Sequence, residues 1–172
     1  MVIHGLGQAP QSGDPLVLLK EAQRERYLVI GIGLPEIMGI ATALSGTPPP
    51  RPMTHDLLCS AVAACGARVT HALIHSIVDG AFHARLMLDI QGRHVELDSR
   101  SSDAIAVAVR AGIPIMVEDA VLEQAGVTPQ SEPGKARPSA EPEHISEEQL
   151  GAFRDVIRGL DLDDLGRPKP SS

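Results

Sequence analysis

The sequence predicts an α+β fold with mixed or antiparallel sheets, because strand patterns and helix patterns alternate along most of the chain. Apolar and polar residues alternate over Ala81–Ile90, which is typical of a half-buried strand. Asp79-Gly80 comes directly before this segment and is a preferred two-residue hairpin turn. Three other segments, at 36–45, 55–65 and 103–111, have helix patterns. Each is followed by a glycine, which frequently ends a helix.

The first part of the chain predicts one hairpin followed by a helix. Residues 1–14 contain three glycines and one proline, and they are expected to form a loose start. Strands are expected at 16–20 and 27–32. A helix is expected at 36–45, because Pro35 stands near its first turn.

A second helix is expected at 55–65, after a proline-rich connector at 47–52 and with Thr54 as its N-cap. Its apolar residues recur at helical spacing, so one stripe of this helix is expected to be buried. The residues of the stripe are Leu57, Leu58, Ala61, Val62 and Cys65.

The second part of the chain predicts further strands and helices around the hairpin turn. Strands are expected at 72–78, 81–90 and 93–98, and helices at 103–111 and 118–124. A strand at 113–117 contains Pro114, which cannot donate to a neighbouring strand, so it is expected at a sheet edge.

The order strand, strand, helix occurs twice, at 16–45 and at 81–111. An acidic residue stands near the start of the helix in both segments, Glu36 in the first and Asp103 in the second. The repeat indicates an internal duplication, in which Glu36 and Asp103 are equivalent positions that face each other across a shared cleft.

The C-terminal quarter is predicted to be an appendage. Residues 128–145 contain four prolines and are expected to form a linker. Ser146-Glu147-Glu148-Gln149 is a capping-box pattern that starts a helix to about residue 159. The predicted parts are a domain at 1–127, the linker at 128–145 and a C-terminal helix with an acidic tail at 146–172.

The composition excludes a protein that holds nucleic acid by a broad basic face, because the formal net charge is −7 over 172 residues. Any contact with a polyanion must be local. Cys59 and Cys65 point to different sides of one predicted helix and cannot pair. Without a signal pattern or an unbroken apolar run of membrane-spanning length, the chain is expected to be cytoplasmic and not to cross a membrane.

A set of acids, one histidine and two arginines near the predicted helix starts is the candidate site. Carboxylates are ligands that Mg²⁺ and Mn²⁺ prefer, so the set offers a divalent-metal site. His55 is the candidate general acid or base, and Arg51 and Arg100 are candidate phosphate clamps. The candidate metal ligands are Glu36, Asp56, Asp98 and Asp103.

A purely structural interpretation accounts for part of this set. Ser102 is then the N-cap of the helix at 103–111, and Asp103 lies at the positive end of the helix dipole. This interpretation does not explain why Asp98 and Arg100 stand beside them.

Two segments resemble motifs of the bifunctional nuclease family, which is found in bacteria and plants. Arg51-Pro52-Met53-Thr54-His55-Asp56-Leu57-Leu58 resembles the family motif P-R-P-x-T-H-D-L-L. Asp98-Ser99-Arg100-Ser101-Ser102-Asp103-Ala104-Ile105-Ala106 resembles (D/S)-A-R-P-S-D-A-I-A, with Ser101 where the family has proline. The resemblance covers about residues 16–160 and carries over as site candidates Glu36, Thr54, His55, Asp56, Arg100, Ser102 and Asp103.

The resemblance implies an α+β fold, a homodimer and an activity on both DNA and RNA. The leading hypothesis is a metal-assisted phosphodiesterase. In it, the catalytic residues are Glu36, His55, Asp56 and Asp103, and the substrate contacts are Arg51, Thr54, Arg100 and Ser102. The competing hypothesis is a non-enzymatic dimeric regulatory or ligand-binding module, which uses the same polar residues to cap helices around a pocket or an interface.

Overall fold

The structure is a computed structural model that describes residues 1–9, 12–47 and 49–128. These residues form eight strands and four helices in two sheets, which confirms the predicted α+β class. In chain order the elements are β1 (Val2–Gln8), β2 (Pro15–Lys20), β3 (Tyr27–Gly31), α1 (Leu34–Leu44), α2 (Thr54–Ala64), β4 (Ala67–Val78), β5 (Ala81–Ile90), β6 (Arg93–Arg100), α3 (Ser101–Ala111), β7 (Ile115–Val117), α4 (Asp119–Ala125) and β8 (Gly126–Val127).

One compact unit, Met1–Gln8 with Asp14–Ser131, contains every one of these elements. Nearly all of the predicted linker, and the whole predicted C-terminal helix, lie outside the described residues. The predicted boundaries at 127 and 145 therefore stay predictions.

The first sheet has the order β1-β2-β3-β8, and its neighbouring strands are antiparallel. The hairpin of β2 and β3 confirms the two strands predicted there. The loose start predicted at 1–14 was wrong, because Val2–Gln8 pairs with β2 at the sheet edge. Glycines lower strand propensity without forbidding the conformation, and Gly5 lies where the ladder shifts register, a place where glycine is common.

The second sheet has the order β6-β5-β4-β7. Its two tight turns, Asp79-Gly80 and Gln91-Gly92, have positive φ at all four residues, from 50° to 86°, as a type I′ turn requires. Strand β7 runs parallel to β4 at the edge of the sheet, as predicted, but it begins at Ile115, so Pro114 lies just before the strand and not within it. Strand β4 starts at Ala67, earlier than the predicted start at 72.

Helix α3 packs against β4 and β5 and also against α1 and α2. Seven of its eleven residues are buried, and three of these are alanines, at 104, 106 and 108, whose small side chains let neighbouring elements approach closely. The predicted order strand, strand, helix is present twice, as β2-β3-α1 and β5-β6-α3, and the two helices of the repeat contact each other. The polar first turns of the helices therefore come within reach of one another.

Helix α2 differs from its prediction in two ways. Its N-cap is Met53, and Thr54, the predicted cap, is already the first helical residue. The stripe expected to be buried is mostly exposed: no residue of α2 is buried, and Leu57 is 63% exposed. Val62 of the stripe packs against the core, together with Cys59, which the stripe did not include. Helical spacing identifies an apolar stripe, but it does not show whether the surface that covers it belongs to the same chain.

Both cysteines are free, as the sequence predicts. Among the helices of the described ranges, none has the length and apolar character needed to span a membrane.

Candidate active site

Each of the first three helices carries an acidic residue at its third position. The caps are Gly33, Met53 and Arg100. The third residues are therefore Glu36 in α1, Asp56 in α2 and Asp103 in α3. A carboxylate in the first turn is stabilised by the unpaired backbone N–H groups and by the helix dipole. Ser102, expected to be the cap of α3, is instead its second residue, which corrects that prediction.

Four charged or titratable side chains from three helix starts meet in one group, called here the Arg100 cluster: Glu36, His55, Arg100 and Asp103. Arg100 donates from Nε to Asp103 Oδ2 at 2.8 Å and from Nη2 to Asp103 Oδ1 at 3.1 Å. Its Nη1 donates to Glu36 Oε1 at 2.8 Å. His55 Nε2 lies 3.0 Å from Asp103 Oδ1. Glu36 and Asp103 thus flank one guanidinium, as their equivalent places in the repeat suggested.

The cluster combines exposed and partly buried groups. The side chain of Arg100 is 66% exposed, whereas that of His55 is 16% exposed. Burial alone would raise the pKa of Asp103, but hydrogen bonds from Arg100 and His55 outweigh burial and lower it. The hydrogen bonds to Asp103 and to Glu36 raise the pKa of Arg100. The carboxylate of Asp103 and the guanidinium of Arg100 are therefore both charged at neutral pH.

The imidazole of His55 keeps one ring nitrogen for other chemistry. Nε2 is used by Asp103, and the ring lies over Gly39 of α1, where an added Cβ would be 3.7 Å from Nδ1. Within the described residues Nδ1 has no hydrogen-bond partner, and it is not fully enclosed by the protein. A histidine held by a carboxylate on one nitrogen and open on the other is the usual arrangement of a general acid or base.

Asp56 lies outside the Arg100 cluster and has a structural role. Its Oδ2 accepts the backbone N–H of Met53 at 2.8 Å, which is half of a capping box. Its Oδ1 accepts Nε of Arg110 at 2.6 Å. The Met53 bond, followed by the Arg110 bond, lowers the pKa of Asp56.

Arg110 is the residue that sequence reasoning missed. It lies in the last turn of α3, its side chain is 7% exposed, and it also donates to the carbonyl oxygens of Gly39 and Ala106. One guanidinium therefore ties α1, α2 and α3 together. The only signal in the sequence is a basic residue in the last turn of a helix, and such a residue commonly interacts with the helix dipole and with no other group.

The remaining predicted residues occupy separate places. Arg51 and Thr54 are exposed before and at the start of α2. Asp98 is exposed on β6, opposite Arg85, and forms no ion pair within the described part of the chain. Ser102 is buried in α3, 7% exposed, next to the Arg100 cluster.

The carboxylates do not fit a single divalent cation in this arrangement. Arg100 binds Glu36 and Asp103, Arg110 binds Asp56, and Asp98 is not joined to them. Among residues 1–9, 12–47 and 49–128, no group of three or more His, Cys, Asp or Glu side chains has the geometry of a metal site.

A depression of about 340 Å³ lies beside the Arg100 cluster. It is bordered by the starts of α1 and α3 and by the turn between β4 and β5. Three glycines, a phenylalanine and four polar residues contribute to its walls: Gly31, Gly33, Gly80, Phe82, Glu36, Arg100, Ser101 and Ser102.

The fold and the cluster define an α+β domain with a histidine–carboxylate pair and an exposed arginine at its helix starts. The family model of the bifunctional nuclease domain matches residues 17–130, and the chain belongs to this family. Two relatives come from Mycobacterium tuberculosis: Uncharacterized protein MT1877 of strain CDC 1551 / Oshkosh and Uncharacterized protein Rv1829 of strain ATCC 25618 / H37Rv. Each is 37% identical to this chain over 158 residues, which is 92% of the chain and 92% of the relative.

Proposed function

We propose that the protein is a nuclease that hydrolyses phosphodiester bonds in DNA and RNA, with His55 and Asp103 as its proton-transfer pair. The observation that carries the proposal is the 3.0 Å contact between His55 Nε2 and Asp103 Oδ1, directly beside Arg100. Membership of the bifunctional nuclease domain family supports the choice of substrate.

Each member of the Arg100 cluster has a role in this proposal. His55 takes the proton from the attacking water, or gives one to the leaving oxygen, through Nδ1. Asp103 fixes the orientation of the imidazole and stabilises it when it is charged. Arg100, which has N–H donors beyond those used by Glu36 and Asp103, binds the phosphate oxygens. Glu36 holds Arg100 in place.

A requirement for Mg²⁺ or Mn²⁺ is a separate proposal, supported by the number of acids near the helix starts. The ion pairs of Arg100 and Arg110 speak against it, since a cation would have to displace a guanidinium from its carboxylates. Cleavage assays with and without a chelator decide whether the activity requires a divalent metal ion.

A second candidate function is a non-enzymatic regulatory or ligand-binding module. One observation favours it: Asp56 caps its own helix and pairs with Arg110, so one of the four predicted catalytic residues serves the fold. The Arg100 cluster would then be a polar interface between helix starts.

Cleavage of a labelled RNA and a labelled single-stranded DNA distinguishes these functions. The purified protein is compared with His55→Gln and Asp103→Asn, and with His94→Gln as the matched control, since His94 is exposed on β6. We expect both cluster variants to lose cleavage by about a hundredfold or more while His94→Gln keeps it. Equal cleavage by all proteins, or none by the wild type, would favour the regulatory module.

We also propose that the protein is a homodimer in which the exposed apolar stripe of α2 meets the same stripe of a second copy. The stripe has the spacing of a buried helix face, yet Leu57 and Leu58 are 63% and 36% exposed in the single chain. The homodimer implied by the family resemblance supports a second copy as the surface that covers it.

A cytoplasmic location completes the proposal. It is supported by the two free cysteines, since disulfides are rare in that compartment. Fractionation of cells that express the tagged chain tests it.

A further inference from the structure

The depression beside the Arg100 cluster has the size of a site for one nucleotide. Its volume of about 340 Å³ lies at the small end of ligand-binding pockets. Gly31 and Gly80 leave two of its borders without side chains, and a Cβ added to Gly31 would meet no atom within 4 Å. A flat group can therefore approach the backbone closely at this border.

The charges around the depression nearly cancel. Its walls contain one guanidinium and one carboxylate, Arg100 and Glu36, which bind each other at 2.8 Å. The starts of α1 and α3 each add about half a positive charge, and Asp103 offsets them. A neutral group with hydrogen-bonding edges suits this balance better than a free phosphate or a metal ion.

Hydrogen-bonding groups in the walls are left for such a ligand. Ser101 and Ser102 are each 7% exposed, and neither hydroxyl forms a hydrogen bond within the described residues. Glu36 uses Oε1 for Arg100, and its Oε2 lies against Gly33, where a Cβ would collide with it. Neither hydroxyl is fully enclosed, so both can bond a ligand from the open side of the depression.

The depression also has an aromatic wall. Phe82, in β5 next to the Asp79-Gly80 turn, is half-buried and lines the depression. It is one of only two phenylalanines in the chain. Bases of single-stranded nucleic acids are commonly bound by stacking on such a ring, with hydrogen bonds to their edges.

We propose that this depression is a subsite for one nucleobase of a single-stranded nucleic acid, stacked on Phe82 and hydrogen-bonded by Glu36, Ser101 and Ser102. The inference rests on the proposed nuclease function, because the base would belong to a nucleotide next to the phosphate bound by Arg100. It adds a base-recognition site to an activity that otherwise contacts only the backbone of the substrate.

Binding of mononucleotides to the full chain tests the subsite. The probes are the four ribonucleoside 5′-monophosphates, with ribose 5-phosphate as the matched probe that lacks a base, titrated by amide chemical shifts in NMR. Two variants alter the depression: Gly31→Val fills it, and Phe82→Leu removes the ring while keeping an apolar side chain. Gly5→Val is the matched control, because Gly5 is also a strand glycine of the first sheet with open space around its Cβ.

We expect at least one nucleotide to bind with shifts at Gly31, Gly80 and Ser101, and ribose 5-phosphate to bind much more weakly. Phe82→Leu should weaken nucleotide binding by about tenfold and Gly31→Val by at least as much, with Gly5→Val unchanged. Equal binding of ribose 5-phosphate would mean a phosphate site only and would overturn the proposal. So would the absence of nucleotide binding, or wild-type binding by Gly31→Val. Nucleotide binding without any cleavage would refute the nuclease and leave the subsite standing.

Discussion

Arg100 and Arg110 lie on the same helix or at its cap, and each binds a carboxylate, but their surroundings differ. The side chain of Arg100 is 66% exposed, and exposed ion pairs contribute little to stability. The side chain of Arg110 is 7% exposed and holds three helices together. The first guanidinium is thus accessible from solvent, and the second stabilises the packing of the helices.

Alanine substitution separates these two roles. We expect Arg100→Ala to lower the free energy of unfolding by less than about 1 kcal/mol and to remove cleavage. We expect Arg110→Ala to lower it by about 2 kcal/mol, because Asp56 and the carbonyl of Gly39 lose their partner. Urea unfolding and cleavage assays measure both. A stable Arg110→Ala protein beside an unfolded Arg100→Ala protein would contradict the assignment.

Asp56 makes stability depend on pH in the acid range. Its pKa in the folded state is lowered from the ordinary value of 3.8, so around and below that pH the unfolded state binds more protons. The stability that Asp56 contributes is therefore complete above this value and is lost as the pH falls through the lower folded value. We expect Asp56→Asn to show a smaller loss of melting temperature than the wild type between about pH 5 and about pH 2.

The matched control for this acid titration is Asp98→Asn, since Asp98 is exposed on β6 and forms no ion pair in the described ranges. Its melting profile should follow that of the wild type. Identical profiles for all three proteins would show that the Asp56 contacts do not stabilise the fold.

At the residue scale, the sequence predicted part of the Arg100 cluster. Glu36 and Asp103 share a position in the strand-strand-helix repeat, so their meeting at Arg100 could be expected. The contact between Asp56 and Arg110 could not be expected, because the two residues are distant in the sequence and no local pattern indicates that they pair. Roles for these residues in catalysis stay predictions until cleavage is measured.

At the element scale, turn chemistry was the strongest signal. Asp79-Gly80 and Gln91-Gly92 fix two hairpins, because few residues adopt positive φ at low cost. The face of α2 was predicted less well. The inner side of the helix carries His55, Cys59 and Val62, whereas Leu57 and Leu58 of the predicted stripe face outward. A sequence pattern shows which face of a helix is more apolar. In the packed protein, however, the buried face of α2 is the one on which His55 contacts Asp103.

Two glycines at helical positions should respond to alanine in opposite directions. Gly39 lies inside α1, where a Cβ would make ordinary contact with His55, so we expect Gly39→Ala to stabilise the protein by about 0.5–1 kcal/mol. Gly112 ends α3 with φ +62°, so we expect Gly112→Ala to destabilise it by about 1 kcal/mol. Thermal unfolding measures both. The same sign for the two variants would contradict the places of Gly39 inside α1 and of Gly112 at the end of α3.

At the scale of the whole molecule, the two sheets and the central helix follow from the order of elements in the chain. The sequence did not reveal β1, because its glycines lower strand propensity. It did not reveal the parallel pairing of β7 with β4, because these two strands are distant in the sequence. The meeting of the starts of α1, α2 and α3 at the Arg100 cluster also could not be predicted from local sequence. It depends on α3 lying against both α1 and α2.

The proposed homodimer is tested by a charge on the apolar stripe of α2. We expect the wild type to elute as a dimer and Leu57→Glu to elute as a monomer, because the charge would have to be buried between two copies. Leu97→Glu is the control, since Leu97 is also exposed, at 44%, but lies on β6. Light scattering gives the masses, and a monomeric wild type would refute the dimer.

The most direct test of the nuclease is a double-mutant cycle on the His55–Asp103 pair. Single-turnover cleavage of a labelled RNA is measured for the wild type, His55→Gln, Asp103→Asn and the double variant. Because residues that act as one unit lose activity together, we expect the double variant to be about as slow as the slower single variant. Losses that multiply, or single variants that cleave like the wild type, would show that the pair does not act as the proton-transfer unit.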